Sequence, residues 1–199
     1  MLIGITGGIG CGKSTIASQL HNLGYPTYDT DSRAKYIIIN NPMVRSQVEL
    51  LFGSEVLEGD VYHTELVSKQ VFHHPDLLTR LNRIVHPAVA FDLQEWERKE
   101  ITQHPEQPIC FVESAIIFES GLNLLCDKVI AITAPEDIRI SRTILRDHSD
   151  ASKVLARIHA QSTDDDIQRA DLIINNDGNT PIPTLCQQIL NYIKSLSNQ

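Results

Sequence analysis

Thr6-Gly7-Gly8-Ile9-Gly10-Cys11-Gly12-Lys13-Ser14-Thr15 is the stretch on which the fold of this chain turns. Residues 7–14 satisfy the pattern G-x-x-x-x-G-K-[ST] in full. Each residue type in it has a physical task. Glycines let the backbone curl until successive N–H groups point inward, where side chains would block the approach of an anion. A helix that follows adds its positive N-terminal end. Lys13 would reach β- and γ-phosphates, and the Ser14 hydroxyl would help to hold Mg²⁺. The bland reading, a glycine-rich turn with a chance Lys-Ser, is disfavoured by the flanking pattern. Leu2–Thr6 is a short apolar run of the kind that forms a buried strand. From Lys13 the pattern turns helical, with Ile16, Ala17 and Leu20 on one face until Gly24.

Outward from this unit, residues 25–29 read as a second short strand, and a helix is expected from about Asp31. Residues 41–107 read mostly as helices punctuated by Gly53, Gly59 and several prolines. Further strands are expected at 109–113, 128–133 and 171–175, with helices at 136–146, 151–161 and 182–196. Strands alternating with helices predict an α/β fold of three layers around a mainly parallel sheet. One domain spanning 1–199 is expected, with a core of about 1–40 and 108–199. A helical substrate-binding region would be inserted at about 41–107, and a lid would cover about 139–160. The last residues, 195–199, are expected to fray.

Composition narrows the function. The 199 residues are 42% hydrophobic and 21% charged, ordinary values for a globular chain. A formal net charge of -8 with no long Lys/Arg run disfavours nucleic acid as a partner. Cys11, Cys110, Cys126 and Cys186 are scattered without a C-x-x-C pair, which fits a reducing cytosol. No apolar run reaches the ~18 residues of a membrane span, and the N-terminus has no basic n-region. The expected setting is cytoplasmic, as a monomer or weak homo-oligomer.

In a parallel α/β sheet, ligands gather outside the carboxyl ends of the strands. Asp29 and Asp31 follow the second strand and Glu113 ends the third, so all three are expected on the rim of the phosphate loop. Asp31 has two readings: proton acceptor from a substrate hydroxyl, or cap of a helix starting at Ser32. Glu113 either joins the magnesium shell or simply ends a strand. Arg139, Arg142 and Arg146 recur at i, i+3 and i+7 on one helix face. They either close over phosphates or form a solvated face beside Asp137 and Asp147. His73-His74 reads as a surface pair, His86-Pro87 as a helix start, and Asp164-Asp165-Asp166 as a solvated helix N-terminus.

Taken together, TGGIGCGKST, YDTDSRA, LNRIVHP (81–87), IIFESG (116–121), Arg142, Arg146-Asp147, Gln161 and ADLIINND (170–177) resemble the dephospho-CoA kinase family along the whole chain. Cys11 stands where another small residue is usual. Ala115 replaces a common proline, and Thr64 or Glu65 falls where an arginine is common. The resemblance implies a nucleotide-kinase-type P-loop fold with a five-stranded parallel sheet. It also implies an ATP-dependent phosphotransferase with an alcohol acceptor, dephospho-CoA, and Mg²⁺. The catalytic residues it implies are Asp31, Lys13 and Arg142. Nucleotide contacts would come from Gly8, Gly10, Cys11, Gly12, Lys13, Ser14, Thr15, Arg142 and Arg146. Substrate contacts would come from Asp29, Asp31, His86 and Glu119, and metal contacts from Ser14 and Glu113. Two rivals stand beside it. One is another P-loop small-molecule kinase acting on a nucleoside, nucleotide or sugar acid; the other is an ATP-binding regulatory module. A guanine-nucleotide switch lacks its N-K-x-D motif, since Asn175-Asn176-Asp177 has no lysine.

Overall fold

The apolar run Leu2–Thr6 forms β1, buried along its whole length in the computed structural model, which describes residues 1–148, 150–159, 161 and 163–196. The side chains of residues 163–165 are outside that description, as are residues 197–199, so the expectations for Asp164, Asp165 and the last residues of the chain fall outside it. β1 leads through the glycine loop into α1 (Lys13–Asn22), then β2 (Thr27–Asp29) and α2 (Thr30–Asn40). Two later strands, β5 (Cys110–Glu113) and β6 (Lys128–Thr133), flank β1, and β7 (Leu172–Asn175) lies beside β6. The sheet order is β2-β5-β1-β6-β7. β1 pairs with β5 and β6, and β6 with β7, all in parallel register. A central strand with both faces covered favours a nearly continuous apolar run, here Leu2–Ile5, over an alternating one.

The chain divides into two compact units. The first comprises 1–28 and 100–199, the second 29–99. The first unit is built on the sheet. Ile3, Ile5, Phe111, Ile130 and Ile132 from the strands meet Ile16 and Leu20 of α1 and Leu185 and Ile189 of α9 (Ile182–Leu196) in one buried cluster. It also holds α6 (Glu136–Asp147), α7 (Ala151–His159) and α8 (Thr163–Gln168). The sequence expectation placed the core at about 1–40 and 108–199; in the structure α2 belongs to the second unit, and the later boundary falls at Lys99, inside the long helix that ends at Gln103.

The second unit is mainly helical: α2, α3 (Pro42–Phe52), α4 (Thr64–His73) and most of α5 (Pro75–Gln103). Val44, Val48, Phe52, Val56 and Val67 are among its buried side chains. Asn41 caps α3 by accepting from the Met43 and Val44 amides, and Pro42 sits where a missing N–H costs nothing. A two-stranded hairpin, β3 (Leu57–Glu58) with β4 (Val61–Tyr62), was not anticipated in this stretch. Its only local signature is the Gly59-Asp60 turn between Leu57-Glu58 and Val61-Tyr62. The helix start expected at His86-Pro87 is corrected as well. Pro87 lies inside α5, which begins well before it at Pro75. Pro87 and Arg83, whose carbonyl loses its bond, are both exposed, so water can serve that carbonyl. Among the described residues no helix is long and apolar enough to cross a membrane.

Candidate active site

The glycine loop between β1 and α1 is closed on itself by the Cys11 amide donating to the Gly8 carbonyl at 3.3 Å. Lys13 Nζ folds towards the same carbonyl at 3.4 Å. Gly12 takes the position before α1 with φ 93°, a left-handed conformation that offers no side-chain cap. Helix geometry leaves the amides of the first turn, from Lys13 to Thr15, without helical partners. They form an anion-binding end beside the lysine. A side chain at Gly12 would also strike Asn176 Nδ2, 2.3 Å from where its Cβ would stand. Cys11 is buried, and burial pushes its thiol pKa up, which keeps it neutral and inert within the loop.

Ser14, in the first turn of α1, donates its hydroxyl to Glu113 Oε1 at 2.7 Å. Glu113 is the last residue of β5, whose register alongside β1 brings it level with Ile5. The expected hydroxyl and carboxylate therefore meet, and they present an all-oxygen donor pair of the kind Mg²⁺ takes.

The three arginines of α6 share a helix face but have three different partners. Arg139 Nε donates to the Ile9 carbonyl at 2.9 Å, and its guanidinium lies 2.3 Å from the position a Cβ on Gly8 would occupy. Its Nη2 is buried without a hydrogen-bond partner among the described residues. Arg142 donates to the Asn176 carbonyl at 3.0 Å and to Asn176 Oδ1 at 3.3 Å. Arg146 forms a fork with Asp147, at 2.7 and 3.1 Å, and Arg157 of α7 joins the same carboxylate at 3.1 Å. The hydrogen bond from Arg146, with Arg157 in support, lowers the Asp147 pKa to about 2. Neither a common solvated face nor a ready-made phosphate clamp describes this stripe.

Two residues in the site carry no spacing signal. Asn176, just beyond β7 and 2% exposed, donates Nδ2 to the Cys11 carbonyl at 2.9 Å. Gln161, between α7 and α8, accepts the Ile9 amide on its side-chain oxygen at 2.7 Å. Both were visible only as parts of the family resemblance, with no role attached. Glu119 is exposed in the turns after β5, where the neighbouring Phe118 ring lies 4.2 Å from the Arg169 guanidinium.

The second unit carries Asp29, Asp31 and His86. Asp29, not Asp31, caps α2: its Oδ1 accepts the Asp31 amide at 3.0 Å, and its Oδ2 accepts the Ser32 hydroxyl at 2.5 Å. The helix begins at Thr30, so Asp31 sits in its first turn with an exposed carboxylate. The capping alternative for Asp31 is thereby removed. His86 is half-buried on α5, and burial lowers its pKa from the ordinary 6.5, favouring the neutral ring. His73 and His74 are exposed at the end of α4, as the surface-pair reading had it.

Comparison with known proteins agrees with this geometry. The family model described as dephospho-CoA kinase matches residues 1–181. A dephospho-CoA kinase of Porphyromonas gingivalis is 42% identical over 168 residues, covering 84% of this chain and 81% of the relative. Among solved structures, TT1252 of Thermus thermophilus superposes with a TM-score of 0.80 at 30% identity, covering 98% of this chain and 96% of that one. A dephospho-CoA kinase from Campylobacter jejuni gives 0.66 at 26% identity, with 100% and 98% covered. The glycine loop, the order of the strands around it and a similarity that runs from the first residue past β7 have one common explanation: this chain belongs to the dephospho-CoA kinase family.

Proposed function

We propose that this kinase transfers the γ-phosphate of ATP to the 3′-hydroxyl of dephospho-CoA, giving CoA and ADP. The observation that carries the reading is the phosphate loop itself, already closed, with the open first-turn amides of α1 beside Lys13 and the Ser14–Glu113 pair next to them. The loop residues Gly8, Gly10, Cys11, Gly12, Lys13, Ser14 and Thr15 surround the phosphates. Lys13 and Arg142 stabilise charge on the transferring group, and Arg146 adds to it once released from Asp147. Ser14 and Glu113 would hold Mg²⁺, which when bound neutralises charge on the phosphate oxygens.

The bond that forms joins the acceptor oxygen to the γ-phosphorus, and the bond that breaks releases ADP. The hydroxyl proton goes to Asp31, whose carboxylate is left exposed because Asp29 does the capping. Asp29, His86 and Glu119 contribute to holding the acceptor. Water in the site would divert the phosphoryl group to hydrolysis, which gives a closing lid its purpose. We assign the lid to the stretch about 139–160, within which α6 and α7 are joined by Arg157–Asp147. The setting is cytoplasmic, in keeping with Cys11, Cys110, Cys126 and Cys186, none of which forms a disulfide.

The test is ADP release from Mg-ATP with dephospho-CoA, beside nucleosides, nucleotides and sugar acids as acceptors. Strong stimulation by dephospho-CoA alone, with CoA as product, is the expected result. Stimulation by another acceptor would leave the loop and overturn the acceptor. No stimulation by any would point to an ATP-binding regulatory module.

A further inference from the structure

We infer that Gln161 is a positioning residue of the phosphate loop, holding the peptide plane between Gly8 and Ile9 through the Ile9 N–H. The inference rests on the reading that ATP binds this loop. Each peptide plane carries an N–H at one end and a C=O at the other, so its orientation is set by what either group meets. Gln161 Oε1 accepts the Ile9 N–H at 2.7 Å and so holds the plane between residues 8 and 9. Arg139 Nε donates to the Ile9 C=O at 2.9 Å and holds the plane between 9 and 10. The Cys11 amide, bonded to the Gly8 carbonyl at 3.3 Å, holds the plane between 10 and 11. Asn176 Nδ2, on the Cys11 carbonyl at 2.9 Å, holds the plane between 11 and 12. Four consecutive planes are thus oriented before α1 begins, three of them by side chains from far along the chain.

Such restraint matters because this is a stretch rich in glycine. Glycine has the widest backbone freedom, so an unrestrained loop would scatter its amide directions and lose most entropy on ordering. A loop already held in shape spares the incoming nucleotide that ordering. Gln161 differs from the other two holders in its place in the fold. Arg139 is on α6 and Asn176 directly follows a sheet strand, whereas Gln161 lies in the connection between α7 and α8. That connection follows the stretch assigned to the lid. The Gln161 contact therefore links the end of the lid to the start of the loop that grips the phosphates.

Gln161→Met tests this, because methionine keeps nearly the same shape and removes the acceptor oxygen. In the variant the KM for ATP is expected to rise roughly three- to tenfold, the range of one lost hydrogen bond. The KM for dephospho-CoA and kcat should stay within about twofold, and Tm within about 2 °C, of one surface-accessible change. In nucleotide-free protein, the Ile9 amide should lose protection from hydrogen exchange while β1 amides keep theirs. Gln161→Glu retains an acceptor and should retain that protection. A wild-type KM for ATP in Gln161→Met, or equal rises for both substrates, overturns the inference. Unchanged Ile9 protection does so too. Absence of ATP turnover in the wild type would instead sink the functional reading, while the exchange measurement, made without nucleotide, would still decide whether Gln161 holds the loop.

Discussion

Replacing Asn176 with alanine should destabilise the fold far more than its polar character suggests. The side chain is 2% exposed and serves two partners at once. Nδ2 donates to the Cys11 carbonyl at 2.9 Å, and Oδ1 accepts from Arg142 at 3.3 Å. Alanine leaves a buried carbonyl without a donor, at a cost of about 1–3 kcal/mol, and removes a part-buried hydrogen bond worth about 0.5–1.5 kcal/mol. Arg142 retains the backbone carbonyl of residue 176, so its loss is partial. The sum is about 3 kcal/mol. At roughly 2–4 °C per kcal/mol for a chain of this length, Tm should fall by about 6–12 °C. The assay is thermal unfolding followed by circular dichroism. Asn176→Asp, measured alongside, separates hydrogen bonding from volume. It keeps the shape but sets a carboxylate oxygen against the Cys11 carbonyl, so it should also melt early at neutral pH. An aspartate variant as stable as wild type, or an alanine variant within 2 °C of it, would refute the reasoning.

Three further outcomes are expected. Asp31→Asn should leave ATP affinity nearly intact while lowering turnover by ~10²-fold or more, the range of a lost general base; unchanged kcat would remove Asp31 from the chemistry. Lys13→Ala should nearly abolish turnover in the same assay through lost stabilisation of phosphate charge, and a variant retaining half the wild-type rate would contradict its placement. The Asp147 carboxyl should titrate near pH 2 by carbon-13 NMR, below its ordinary 3.8, because Arg146 and then Arg157 bond the charged form. A folded pKa lowered in this way contributes stability that is present above 3.8 and lost as pH falls through about 2. Arg146→Ala should move the midpoint back up, and a wild-type midpoint near 3.8 would show that the fork does not persist in solution.

Much of this protein is written in short stretches. The apolar run 2–6, the glycines at 7, 8, 10 and 12, and Lys13-Ser14 determine a strand, a phosphate loop and a helix, because each depends on residues within a turn or two. The strands at 110–113, 128–133 and 172–175 were legible as short apolar runs, with polar residues confined to their ends. α9 was legible to the residue from its helical period. The hairpin at 57–62 was not, since two-residue strands are too short to show a period. Helix α5 ran through Pro87, because an exposed carbonyl can turn to water in place of its helical partner.

What the tertiary structure alone decided was the use made of each polar group. An i, i+3, i+7 stripe says that three arginines share a face, yet the fold sends Arg139 to the loop, Arg142 to Asn176 and Arg146 to Asp147. Asp29 and Asp31 are equivalent as sequence, and only the onset of α2 at Thr30 makes one the cap and leaves the other exposed. Gln161 and Asn176 reach the loop across 152 and 165 residues. Hydrophobic burial repeats along a chain and leaves a period, whereas a single hydrogen bond between distant residues leaves none. For that reason the fold and the loop could be read from the sequence, and the side chains that hold the loop in shape appeared only when the chain was folded.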